Sequence, residues 1–131
     1  MTEAELCDYL KRTKFSDIKQ VVNGFSPWDV TFTSSKRVFY GELKCRETHY
    51  PKMVIVLDKW RSLMLVADVT ASEAAYINST PQGVYAWNLH QMPEPDWVWD
   101  LMPETTKFGR TDKVYKRVGY LPISKAERIE E

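Results

Sequence analysis

From Glu3 to Lys14 the apolar residues Leu6, Tyr9 and Leu10 recur at three-to-four spacing, and Thr2 stands just ahead of them. That spacing predicts an amphipathic helix with a threonine N-cap. Asp17 to Val22 is short and β-prone, and Asn23-Gly24 beside it predicts a turn that opens a hairpin. From Trp28 to Thr33 the chain alternates, with Val30 and Phe32 on one face and Asp29, Thr31 and Thr33 on the other. Ser34-Ser35-Lys36 predicts the next turn. A strand from Val38 to Cys45 then places Phe39, Gly41, Leu43 and Cys45 on one face and Tyr40, Glu42, Lys44 and Arg46 on the other. Such a strand has one dry face and one face able to carry chemistry.

Pro51 suits the first turn of a helix, and Met53, Val56, Leu57, Trp60, Leu63, Met64 and Ala67 follow at helical spacing. The expectation is one long helix covering the sheet. Ala74 to Asn78 and Gly83 to Leu89 predict a hairpin around Ser79-Thr80-Pro81-Gln82. The order is αβββαββ. Met92 to Pro103, rich in proline and tryptophan, reads as an ordered loop. Val114 to Leu121 reads as an edge strand before Pro122, and Ser124 to Glu131 as a short terminal helix. With 131 residues the chain is expected to form one domain, with its core at about 3–90 and accessory segments over 91–131.

Composition narrows the class rather than the function. Hydrophobic residues are 44% and charged residues 27%, so the chain is expected to fold rather than remain disordered. Eighteen basic and 18 acidic side chains cancel, so any attraction to nucleic acid must come from local patches. Cys7 and Cys45 suit neither a disulfide framework nor a C-x-x-C zinc knuckle. No signal-peptide pattern or membrane-length apolar run is present, and a soluble, cytoplasmic protein is the expectation.

The polar face of the Val38–Cys45 strand carries the candidate chemistry. Hydrolysis of a phosphodiester needs an activated water, a metal to offset phosphate charge and help for the leaving oxygen. Carboxylates are the hard ligands magnesium prefers. Asp29 and Glu42 on strands roughly 5 Å apart can converge on one ion, with the Leu43 carbonyl as a further ligand. Lys44 lies two residues beyond Glu42 on the same face, placed to reach a water or phosphate. Gly41 leaves the opposite face open for close packing or a twist.

Pro27, Asp29, Glu42 and Lys44 in this order resemble the PD-(D/E)XK nuclease superfamily. The resemblance implies a single-domain α/β fold: a restriction-endonuclease-like αβββαβ core with a mixed central sheet flanked by helices. Leu57-Asp58-Lys59-Trp60-Arg61-Ser62-Leu63, followed by strands around Tyr76-Ile77-Asn78 and Val84-Tyr85-Ala86-Trp87, is similar to archaeal-type Holliday junction resolvases and VRR-NUC nucleases. Trp28, between the proline and the acid, departs from the simplest motif. What the resemblance implies is a Mg2+-dependent deoxyribonuclease, Mn2+ substituting, acting as an endonuclease in DNA repair, recombination or phage DNA processing. It also implies a further acid on the first helix, Glu5 in preference to Glu3, and a 5′-phosphate product. Expected partners are DNA and a second copy of the chain, with no membrane and no small-molecule cofactor.

Plainer readings stand beside these. An acid-x-lysine tripeptide arises by chance on solvated strands, and an aspartate after proline often caps its own turn. His49 and His90 have no second ligand at metal spacing and are read as structural or surface residues. Trp97 and Trp99 are read as packing residues rather than base-stacking ones. Lys107, Arg110, Lys113, Lys116 and Arg117 form a locally basic segment that suits either DNA phosphates or protection of a strand edge. Lys11, Arg12, Lys14 and Lys19 form a second cluster with the same two readings. Two alternatives of function remain open at this point: a nuclease-fold binding protein that does not cut, such as a nucleic-acid-binding regulator or phage-encoded inhibitor, and a subunit whose specificity comes from another protein.

Overall fold

A computed structural model describes residues 1–21, 26–103 and 112–130. Helix α1 (Glu3–Thr13) begins with a reciprocal cap. The Glu5 N–H donates to Thr2 Oγ1 at 3.1 Å, and the Thr2 N–H donates to Glu5 Oε1 at 3.0 Å. Two otherwise orphaned donors are thereby satisfied. The helix buries Leu6, Cys7 and Leu10.

The larger sheet contains β1 (Lys19–Gln20), β2 (Val30–Ser34), β3 (Arg37–Cys45), β5 (Glu73–Thr80), β6 (Gly83–Asn88) and β9 (Glu127–Ile129), in that spatial order. Only the β3–β5 pairing is parallel. The β2–β3 turn uses Ser35 and Lys36 at φ 51° and 66°, the left-handed pair that matches the twist of a tight hairpin. The crossover from β3 to β5 runs through β4 (Lys52–Val56) and α2 (Leu57–Val69). A smaller sheet has β8 (Lys113–Pro122) between β4 and β7 (Val98–Pro103).

Pleat alternation divides the core in two. Phe39, Leu43, Val30, Phe32, Ala75 and Ile77 turn one face of the large sheet toward Leu6 and Leu10 of α1. Tyr76 and Trp87 on the other face meet Trp60, Leu63 and Ala67 of α2, together with Met53, Ile55 and Leu121 of the small sheet. Each such side chain taken fully out of water contributes about 1.5 to 3 kcal/mol. The mixed sheet, with one helix on each face, agrees with the sequence reading. Among the described residues no helix is long and apolar enough to cross a membrane.

Four segments differ from expectation. The long helix begins at Leu57, because the β-branched run Val54-Ile55-Val56, with Met53 before it, pairs with β8 and buries Met53 and Ile55 on one side. Met92 to Pro103 is not all loop, since Val98–Pro103 forms β7. β8 is not an edge; it is paired on both sides. The terminal helix is instead a 3-10 turn, Ile123–Lys125, followed by β9, whose Ile129 enters the first core and whose carbonyl accepts a hydrogen bond from Tyr9. In each case a pairing partner distant in the chain decides the outcome. The Asn23-Gly24 turn lies outside the described residues.

Candidate active site

The β2–β3 register places Val30 opposite Gly41, and the Asp29 N–H donates to the Gly41 carbonyl at 2.8 Å. Asp29 therefore stands beside Glu42 on the α2 side of the sheet. Its carboxylate accepts from the Leu43 N–H at 2.9 Å, reaching across to the neighbouring strand rather than capping its own turn. Gly41 makes the close strand packing possible: a Cβ there would lie 3.1 Å from Val30 Cγ2.

Glu42 is 4% exposed, an unusual place for an acid. Burial, reinforced by the negative charge of Asp29, pushes its pKa up to about 7, with Lys59 and Lys44 pulling the other way. Lys44 Nζ lies 3.7 Å from Glu42 Oε1, and Lys59 Nζ lies 3.2 Å from Oε2. Lys59 also donates to the Pro27 carbonyl at 3.2 Å. The Lys59 ammonium meets Oε2 as an ion pair, and this buried oxygen has no further hydrogen-bond partner.

A buried carboxylate next to a second carboxylate fits a hard divalent cation, which would take up the oxygen lone pairs that the two lysines leave free and relieve the repulsion between the two acids. Among the described residues no three His, Cys, Asp or Glu side chains cluster as a ready metal site. The donor set here is two side-chain acids, to be completed by backbone or water oxygens.

Of the two acids considered on α1, Glu5 is engaged in the helix cap, which holds its carboxyl below the usual range. Glu3 is the one that feels the cleft. Burial and the charge of Asp29 raise its pKa, while Lys44 and Lys59 oppose the rise. Lys59 was not singled out as a site residue from the sequence, because its role depends on α2 starting at Leu57 so that its first turn overlies β3.

Arg46, next on the polar face after Lys44, has a structural task. Its Nη2 donates to the Val54 carbonyl at 3.1 Å and to the Tyr76 hydroxyl at 2.8 Å, tying the small sheet to the large one. His49 sits against Thr80 and Tyr85, and His90 between the Ala74 N–H and Asp68, so both histidines are held in the fold. Lys113, Lys116 and Arg117 lie on β8, away from the two acids in the chain's pairing pattern, while Lys107 and Arg110 lie outside the described residues. In the second basic cluster, Lys14 pairs with Glu127 and Arg12 lies over Tyr9.

No family model matches the sequence, and no curated protein matches it. A solved structure does. Hjc of Archaeoglobus fulgidus, a Holliday junction resolvase from an archaeal hyperthermophile, is similar over 96% of this chain and 87% of its own, with a TM-score of 0.60 and 17% identity. At that identity the likeness is one of fold. The chain thus has the restriction-endonuclease-like fold that it shares with the archaeal resolvase, and it gathers two carboxylates and two lysines where β2, β3 and α2 converge.

Proposed function

We propose that this chain is a metal-dependent deoxyribonuclease, an endonuclease of DNA repair, recombination or phage DNA processing. The observation that carries the reading is the buried Glu42 carboxylate beside Asp29, in ion-pair reach of Lys44 and Lys59. Asp29, Glu42 and the Leu43 carbonyl would hold Mg2+, with Mn2+ able to substitute, and Glu3 is the helix acid within the field of Asp29 that could support it. Such an ion, when bound, neutralises phosphate charge and makes bound water more acidic. Lys44 supplies the mobile cation: when Glu42 binds elsewhere, its ammonium turns to the scissile phosphate or orients the attacking water. Lys59 holds the inner end of the Glu42 side chain and favours its ionised form against burial and the charge of Asp29.

DNA phosphates are met by the basic segment Lys107, Arg110, Lys113, Lys116 and Arg117. A dimer follows from the need to cut two strands with one site per chain, and a branched substrate is the finer proposal suggested by the resolvase neighbour. The second reading, a binding protein that keeps the fold without cutting, draws on Lys59, whose ammonium already neutralises Glu42 from within.

Incubation with supercoiled, linear, single-stranded and four-way-junction DNA, in Mg2+ or Mn2+ and in EDTA, separates the two. Metal-dependent cleavage that drops at least about a hundredfold in Lys44→Met and Glu42→Gln supports the nuclease. Tight DNA binding with no cleavage of any substrate supports the second reading.

A further inference from the structure

The β7–β8 ribbon carries a surface that the cleft does not use. β4 pairs with β8 over Val118 to Pro122, whereas β7 pairs with β8 over Lys113 to Val118. The outer half of the ribbon therefore runs past the end of β4. The pairs Trp99 with Arg117, Leu101 with Tyr115 and Pro103 with Lys113 share one face by pleat alternation. Trp99 is 67% exposed and Tyr115 is 69% exposed, a large aromatic area to leave in water. Trp97, by contrast, packs edge-on against Trp60 at 5.7 Å. The two tryptophans expected to pack behave differently.

Charge on this face has one sign. Arg117 Cζ lies 5.9 Å over the Trp99 ring, and Lys113 is exposed at the far end. Among the described ribbon residues the only carboxylate is Asp100, which alternation puts on the opposite face, where it accepts from the Tyr120 hydroxyl. A second copy docking face to face about a twofold axis would bring two sets of cations together with no acid between them. A polyanion with exposed π-faces meets the same surface with complementary charge and stacking.

Spacing selects among polyanions. Trp99 and Tyr115 are diagonal neighbours across the two strands, so their backbone positions lie about 7 to 8 Å apart. That is about twice the 3.4 Å rise of stacked bases in a duplex, so side chains rooted at this spacing suit the bases of an extended, unstacked strand. We propose that this ribbon face is a stacking platform for unpaired DNA, with Trp99 and Tyr115 taking bases and Arg117 and Lys113 their phosphates. It rests on the reading of the chain as a DNA-acting protein and narrows its substrate to DNA that contains a single-stranded region.

Binding is measured in EDTA, so that cleavage plays no part, by anisotropy of labelled oligothymidylate and of a duplex of equal length, with tryptophan fluorescence as a second signal. Oligothymidylate is expected to quench tryptophan emission. Trp99→Ala with Tyr115→Ala should weaken its binding about tenfold or more, with much less effect on the duplex, and Trp99→Phe with Tyr115→Phe should restore most of the loss. Lys113→Ala with Arg117→Ala should lower the salt dependence of binding. Unchanged oligothymidylate affinity in the alanine variant overturns the proposal, as does an equal loss for the duplex, which means phosphate contact only. A wild-type dimer in sedimentation that the alanine variant dissociates, with DNA affinity unaltered, also overturns it and assigns the face to a second copy. Because these readings are made without metal, failure of cleavage by the wild-type protein leaves them intact and counts only against the nuclease reading.

Discussion

The Lys59 ammonium lies 3.2 Å from Glu42 Oε2, joining the first turn of α2 to the buried acid of β3. This contact makes the helix part of the site rather than only its cover. Removing the cation disfavours the carboxylate form, so Lys59→Met should raise the Glu42 pKa further. NMR titration of the Glu42 side chain should show the midpoint moving above about 7. If cleavage needs ionised Glu42, the acidic limb of its pH profile should move upward in the same direction. An unmoved titration would remove Lys59 from the site.

Glu42 also links stability to pH. Its folded pKa of about 7 lies above its ordinary 4.5, so its protonated form is favoured by folding. The associated stability is fully present below about 4.5 and is lost as pH rises through about 7. The change amounts to roughly 3 kcal/mol at most for metal-free protein. Denaturant melts in EDTA should show this decline, and Glu42→Gln should flatten it. Added Mn2+ should stabilise the wild type above pH 7 far more than below pH 5.

Arg46 lies on the face that carries Glu42 and Lys44, yet its hydrogen bonds go to Val54 and Tyr76. Arg46→Met should therefore lower stability by roughly 2 to 3 kcal/mol, as expected for hydrogen bonds from a charged group in a partly buried site. Urea melts measure the loss. Divalent-cation affinity, measured by calorimetry well below the melting point, should change little.

Thr2→Ala removes the Oγ1 acceptor of the Glu5 N–H, one half of the α1 cap, and should cost about 1 kcal/mol. The effect is expected in thermal melts. The Thr2 backbone N–H, the first cause of the lowered Glu5 pKa, survives the substitution, so the Glu5 carboxyl should keep most of its lowering in the variant.

Elements whose residues obey one local rule were legible from sequence. The capped α1, the hairpin turn at Ser35-Lys36, the two faces of β3 and the β5–β6 hairpin all follow from pleat, helical period and turn chemistry. So did the meeting of Asp29 and Glu42, since two short strands joined by a tight turn have little freedom of register. The segments misread, Lys52–Val56, Val98–Pro103 and Glu127–Ile129, take their structure from partners far away in the chain.

The sequence by itself determined which side chains share the polar face of β3, because alternation on a strand depends on nothing beyond neighbouring residues. Only the tertiary structure decided what that face means. Burial under α2 turns Glu42 from a solvated acid into one with a raised pKa, and the start of α2 at Leu57 brings in Lys59. The first helix likewise offered two acids, and its docking put Glu3 rather than Glu5 within the field of Asp29. The physical reason is common to all three: dielectric environment and through-space charge depend on distances between elements, and no local period encodes those.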